Sequence, residues 1–320
     1  MKIIESFRQG FQKVNQARRF IFLIYATSLL LALVLGGSMM LTLQRSIGNS
    51  AAGERLLERF DPAWYQNFSS QAQGLARTFT PSVVGIGAVF NGLDAFLRGD
   101  VLKSAVAVTT VGLLYLLLWT FFSGGLVSLY AAEGKQPSFF QEAARFFPRF
   151  LVLGIMAGVL YVLLFKFLFG WMSKAVEELT RETIDERVHF AYTVVKYVLF
   201  WSLVLSVNIV FDYSKIFTVL RDHRNALSAP LKALKIVFGR FGRTYGLYLT
   251  LGATWVVLML LYWLVVPGAG QSRWLTIAAA FLLGQLYVLG RIWMRGWFYA
   301  SQTVLCDALA GQEKLESAAE

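Results

Sequence analysis

The sequence predicts an all-α membrane protein: six transmembrane helices in three hairpins, with amphipathic interfacial helices on the cytoplasmic side. Three observations carry this fold class. Of the 320 side chains 57% are hydrophobic and only 15% charged, against about 45–50% and about 25% in typical soluble chains. The apolar residues fall in blocks long enough to cross a hydrocarbon core of about 30 Å. Lysine and arginine collect on alternate connections between those blocks, as they do where a chain threads a membrane. This balance excludes a soluble globular enzyme, a disordered chain and a disulfide scaffold. Cys306 is the single cysteine and there are two histidines, so neither an intramolecular disulfide nor a histidine-based metal cluster is expected. No cofactor is expected either.

The elements follow in order. Residues 1–19 form a cytoplasmic amphipathic helix, with Ile3, Phe7, Phe11 and Val14 at helical spacing ahead of Arg18 and Arg19. A membrane domain then occupies 20–306. Its first span, 20–43, carries no charge. It exceeds the 7–15 residues, roughly, of a signal-peptide core and reads as a retained signal anchor. The connection 44–103 is the longest outer loop. Residues 54–60 suggest a short amphipathic helix ended near Asp61 and Pro62. The apolar piece 83–96, with Gly85, Gly87 and Gly92, is too short to cross and reads as interfacial or re-entrant. The second span covers 105–130. The third and fourth, 150–172 and 189–211, each hold one lysine, Lys166 and Lys196. The fifth, 245–266, stops at Pro267 and Gly268, and the sixth covers 274–294. Residues 307–320 form a cytoplasmic tail. At about 1.5 Å per residue each block spans the hydrocarbon, and a helix satisfies its own backbone where water is absent.

Orientation comes from counting cations. With the N-terminus inside, the inner segments hold 18 of the 30 Lys and Arg, the outer ones 10, and the spans two. The outer turn 173–188 is acidic, with Glu177, Glu178, Glu182, Asp185 and Glu186. Both termini are therefore expected in the cytoplasm, and the net charge of +11 is mostly this asymmetry, so nucleic acid is not an expected partner. The inner segments also share a design. Basic and aromatic residues precede spans one, three and five, and Ser138 with Gln141 suggests a capping box before span three. Two explanations stay open: a true threefold repeat, or the ordinary basic, aromatic inner flank of a bacterial span.

Four short stretches carry a resemblance: Asp61-Pro62-Ala63-Trp64, Thr120-Phe121-Phe122-Ser123-Gly124-Gly125, Phe146-Phe147-Pro148-Arg149-Phe150, and Asp212-Tyr213-Ser214-Lys215-Ile216 continuing to Arg221-Asp222-His223-Arg224. Together they resemble a group of six-span bacterial integral membrane proteins without an assigned activity. The architecture is more loosely similar to the membrane domain fused to some glycerophosphodiester phosphodiesterases. The resemblance implies a bacterial inner-membrane protein. These residues include no soluble phosphodiesterase domain, so that activity is not carried over.

Candidate site residues fall into four sets. Lys166 and Lys196 lie roughly 9–10 Å inside the outer ends of neighbouring spans. Intramembrane cations mark functional sites by default, so one reading is an anion or lipid-headgroup site, and the simpler one is snorkelling to the outer headgroups. Lys232, Lys235, Arg240 and Arg243 alternate with Leu231, Leu234, Val237, Phe238 and Phe241, a pattern suited to an anionic lipid surface. Asn208 and Asp212, four apart on one face, are placed to accept from Arg221 or Arg224 and pin the following loop. Gly124, Gly125, Gly154 and Gly158 are small residues that let helices approach closely.

No catalytic constellation, midplane acid or phosphate-cradling loop occurs in the sequence, so no enzyme is expected. The expected function is a lipid-contacting scaffold or accessory subunit, with membrane lipids (anionic ones above all) and other membrane-protein subunits as partners. The alternative is a small transporter or channel for an anionic or lipid-like solute, with Lys166 and Lys196 in its path.

Overall fold

A computed structural model describes residues 3–48, 51–58, 60–79, 106–132, 137–182, 185–266 and 273–319. Every regular element among them is helical. In chain order these are α1 (Ile3–Gln16), α2 (Arg18–Ile47), α3 (Ala52–Glu58), α4 (Pro62–Gln71), a 3₁₀ turn (Gly74–Thr78), α5 (Val106–Ala131), α6 (Phe139–Leu163), a π-helical turn (Leu164–Leu168), α7 (Phe169–Thr180), α8 (Glu186–Leu220), α9 (Ala229–Gly239), α10 (Phe241–Val265) and α11 (Trp274–Ala319). Six helices are long and apolar enough to cross a membrane, and the chain is an all-α, multi-pass membrane protein. The apolar piece 83–96 and Lys135 lie outside the described residues, as do Pro267 and Gly268.

Two element boundaries differ from the sequence reading. The surface helix expected before span three is not separate from it, because Phe139–Thr180 runs as one 42-residue stretch through Pro148 and the π turn. At helical rise that is roughly 63 Å, about twice a hydrocarbon core. The tail expected at 307–320 is instead the continuation of α11, a 46-residue helix. By contrast, α1 is separated from α2 at Ala17 and α9 from α10 at Arg240.

The chain forms two compact units, with boundaries inside α5, α10 and α11. The unit made of Arg18–Trp119 and Gly252–Arg295 joins α10 to α11 through stacked Tyr262 and Tyr287, 4.4 Å between centroids. Gly290 lets the Leu258 side chain approach closely. Tyr25 of α2 donates to Gln285 of α11 at 3.0 Å. In the outer connection Asp61 caps α4, its carboxylate accepting from the backbone of Ala63 and Trp64 and from Arg55 Nε. The sequence reading took Asp61-Pro62 as the end of the 54–60 helix; that helix ends at Glu58, and the Asp61 carboxylate instead starts α4, with proline suited to its first turn.

The unit made of Met1–Ala17, Thr120–Leu251 and Gly296–Glu320 contains the denser core. Phe146, Phe150 and Leu153 of α6 meet Phe211 of α8 and Ala229 of α9. Helix α1 is part of this core and does not merely rest on a surface. Its buried stripe is Ser6, Gly10 and Val14, while Ile4 and Phe11 are exposed. A Cβ at Gly10 would overlap Ser301 of α11, and one at Gly246 of α10 would stand 2.7 Å from Ile3 Cδ1. Trp297 donates to the Phe7 carbonyl at 3.0 Å and carries the Phe7 and Phe11 rings at 4.4 and 5.2 Å. The Lys13 ammonium donates to the carbonyl of Tyr130, near the end of α5, where helix carbonyls lack intrahelical partners and favour a cation.

Candidate functional site

The richest polar geometry lies where α6, α8 and α9 converge. Helix α8 ends at Leu220 in a left-handed turn. The Asp222 amide donates to Val219 O and the His223 amide to Thr218 O, the double closure of a Schellman motif. The motif needs a positive φ after the cap, usually supplied by glycine. Here Asp222 adopts φ +42°, and an aspartate bears that backbone at some cost. What the side chain gains is a pair of arginines. Asp222 Oδ2 accepts from Arg145 Nη2 and Oδ1 from Arg149 Nη1, each at 2.7 Å. The hydrogen bond from Arg149 and the nearby charge of both guanidiniums hold the Asp222 carboxyl below its ordinary range. Glu142 takes a longer contact from Arg145, at 3.4 Å.

His223 follows directly. Its Nε2 pairs with Ser228 Oγ at 2.8 Å, its carbonyl accepts from Arg149 at 3.5 Å, and its ring stands edge-on to Phe217 at 5.5 Å. Burial first, then the charges of Lys232 and Arg149, push its pKa below the ordinary histidine value. Lys232 places its ammonium 5.7 Å from the Phe217 centroid.

Helix α9 packs its small residues inward. Ala229, Ala233 and Val237 are buried, against α8. Leu231, Leu234 and Phe238, with Phe241 beyond the helix end, remain exposed. Lys232 and Lys235 lie among them, and Arg240 and Arg243 follow, half-buried.

The other sequence candidates are dispersed. Asn208 donates to the Tyr248 hydroxyl of α10, beside a Tyr245-to-Ser206 hydrogen bond of 2.7 Å. Asp212 is buried in α8. Arg221 and Arg224 are exposed, and their side chains form no ion pair among the described residues. The loop is therefore pinned by Asp222 with Arg145 and Arg149, a correction to the expected pairing of Asn208 or Asp212 with Arg221 or Arg224. Asn208 and Asp212 sit about three and two turns inside the end of α8, too far back to reach around it.

Gly124 and Gly125 lie tight against Phe146, Ala143 and Phe139. Gly154 and Gly158 differ: a Cβ at either meets nothing within 4 Å, so neither is a packing glycine among the described residues. Lys166 is exposed on the π turn, with its ammonium 5.9 Å from Phe167. Lys196 donates to Ser173 at 3.4 Å and lies over Tyr197 and Phe169. Among the described residues no contact links the two lysines to a common site. A cavity of about 380 Å³ is lined by Gln9, Lys13, Tyr130, Thr303 and Asp307 among others, and by neither Lys166 nor Lys196.

The sequence reading missed Arg145, Arg149 and Asp222 as a unit. A signal was present, since two of the stretches carrying the family resemblance, 146–150 and 221–224, are the ones that meet here. Among the described residues no group of acidic, histidine or cysteine side chains could hold a metal. No protein-family model matches this chain, and neither a curated protein nor a solved structure matches it.

Proposed function

We propose that the protein is a non-catalytic, lipid-contacting scaffold or accessory subunit of the bacterial inner membrane, with both termini in the cytoplasm. The observation that carries this reading is the two-sided packing of α9. Its small face is spent on α8, which leaves Leu231, Leu234, Phe238 and Phe241 exposed beside Lys232, Lys235, Arg240 and Arg243. Exposed leucine and phenylalanine flanked by cations suit the boundary between headgroups and acyl chains. Each Lys or Arg near an anionic surface contributes about 1 kcal/mol, so four contribute about 4 kcal/mol before losses. The excess of Lys and Arg on the α1, α6, α9 and α11 segments supports the orientation.

Spin labels on a Cys306→Ala background test this in nanodiscs containing anionic lipid. Labels at Leu234 and Phe238 are expected to be relaxed by lipid-soluble oxygen, and a label at Lys235 by a water-soluble nickel complex. Greater nickel access at 234 and 238 than at 235 overturns the reading. Cys306 itself is a poor topology probe because it is buried in α11. A C-terminal alkaline phosphatase fusion tests orientation instead, and an active fusion refutes a cytoplasmic C-terminus.

A further inference from the structure

The end of α8 presents more cationic donors than it has acceptors. Arg145 and Arg149 share two carboxylates, Glu142 and Asp222, and Lys232 lies within electrostatic range of the neighbouring His223. Both Asp222 oxygens already accept from a guanidinium. Arg149 is held in place by that bond, with its side chain only 21% exposed. It uses Nη1 alone, so Nε and Nη2 have no protein acceptor among the described residues. The Lys232 ammonium likewise has no acceptor, and it stands over the ring of Phe217. His223 faces the same ring from the loop, within electrostatic range of both Lys232 and Arg149. Three elements thus bring a guanidinium, an ammonium and an imidazole together at His223: Lys232 and the His223 ring share Phe217, and Arg149 lies over Phe146 and reaches the His223 carbonyl. The strained Asp222 turn fixes the first of them.

We infer that Arg149, His223 and Lys232, gathered where the α8–α9 loop meets α6 and α9, form a binding site for a phosphate-bearing anion, either a lipid headgroup or free phosphate. A phosphate group offers several acceptor oxygens at once. A planar guanidinium fork together with an ammonium from another direction matches that geometry better than it matches a carboxylate. A carboxylate from the chain, Asp222, already holds Nη1 of Arg149. The inference deepens the lipid-contacting reading and rests on it only for the source of the phosphate.

The test uses the full chain in uncharged detergent at about 0.15 M salt, where exposed charges beyond a Debye length of about 8 Å are screened. In one arm native mass spectrometry measures retention of phosphatidylglycerol; in the other, inorganic phosphate is titrated by calorimetry. Three variants are compared: Lys232→Gln, Lys235→Gln and Leu234→Ser. Lys232 and Lys235 carry equal charge on one helix, but only Lys232 faces the site. Lys232→Gln is expected to weaken binding about tenfold, as loss of a charge-assisted hydrogen bond does, and Lys235→Gln to leave it nearly unchanged. Sensitivity in the lipid arm alone assigns a headgroup, and sensitivity in the phosphate arm assigns free phosphate. Equal effects of Lys232→Gln and Lys235→Gln in both arms overturn the site. Loss of lipid with Leu234→Ser but not Lys232→Gln also overturns it while leaving the surface-helix reading standing. The reverse pattern supports the site and removes that reading.

Discussion

Replacing Gly10 by alanine tests whether α1 is truly built into the fold. The added Cβ would overlap Ser301 Oγ and stand 2.7 Å from Ser301 Cα and N. A hydroxyl can rotate aside, but the backbone of a long helix cannot, so α1 must move off α11 by several tenths of an ångström. Overpacking of this kind costs about 1–3 kcal/mol. Alanine in place of glycine within a helix returns up to about 1 kcal/mol, so the two effects oppose and the clash prevails. The net cost is about 1–2 kcal/mol, which raises the population of undocked α1 by about 5–30-fold. Hydrogen exchange over residues 3–16 reads that opening directly, because local protection falls in proportion. The Trp297-to-Phe7 bond and the Lys13-to-Tyr130 contact should loosen with it. Gly158→Ala is the control, since its Cβ meets nothing within 4 Å, and it should hold or raise stability. Unchanged protection of α1 in Gly10→Ala, or the same response in both variants, would refute the reasoning.

Three further outcomes are expected. Gln302 is fully buried and both its amide atoms lack a partner among the described residues, so Gln302→Met should leave stability unchanged or raise it; a loss of more than about 1 kcal/mol means that the amide is in fact satisfied. The α8–α9 loop should lose stability with acid in two stages. His223 has a lowered pKa, so its contribution is complete above pH 6.5 and is lost as pH falls through the folded value. Asp222, also lowered, contributes above its ordinary 3.8 and is lost only below that. Exchange rates of 218–228 measured against pH check this, with His223→Asn flattening the first stage and Asp222→Asn the second; no change in either variant contradicts it. Finally, the double replacement of Lys166 and Lys196 by methionine should maintain or raise Tm, because Lys166 is exposed and Lys196 makes one long hydrogen bond, to Ser173, and ring contacts that a methionine stem can keep. A specific anion lost on that replacement in native mass spectra would restore the paired-site reading.

Hydropathy alone determined the helices. The charge-free runs at 20–43 and 104–132 and the lysine-bearing runs of spans three and four are too long for strands and too apolar for water, whatever they pack against. A break at Asp61-Pro62 was also legible, because a cap is local chemistry, but it was read as an end where the carboxylate and the two amides that follow it start α4. The basic and apolar alternation of 231–243 was legible for the same reason, since α9 exposes the leucines and phenylalanines that the pattern separates from its alanines.

What a side chain faces was decided only by the tertiary structure. In a membrane protein an apolar residue is equally suited to lipid and to core, so hydrophobic periodicity does not say which face is buried. Helix α1 shows this: Phe7 and Phe11 attract attention in the sequence and meet Trp297, but the buried face is Ser6, Gly10 and Val14, where small side chains let Ser301 approach. The same ambiguity made Gly154 and Gly158 resemble a packing motif, although they face open space while Gly124 and Gly125 hold Phe146 and Phe139. The Arg145–Asp222–Arg149 clamp joins residues 73 and 77 positions apart. No spacing rule spans that separation; it exists because α6 and α8 run side by side and the chain turns through a positive φ at Asp222.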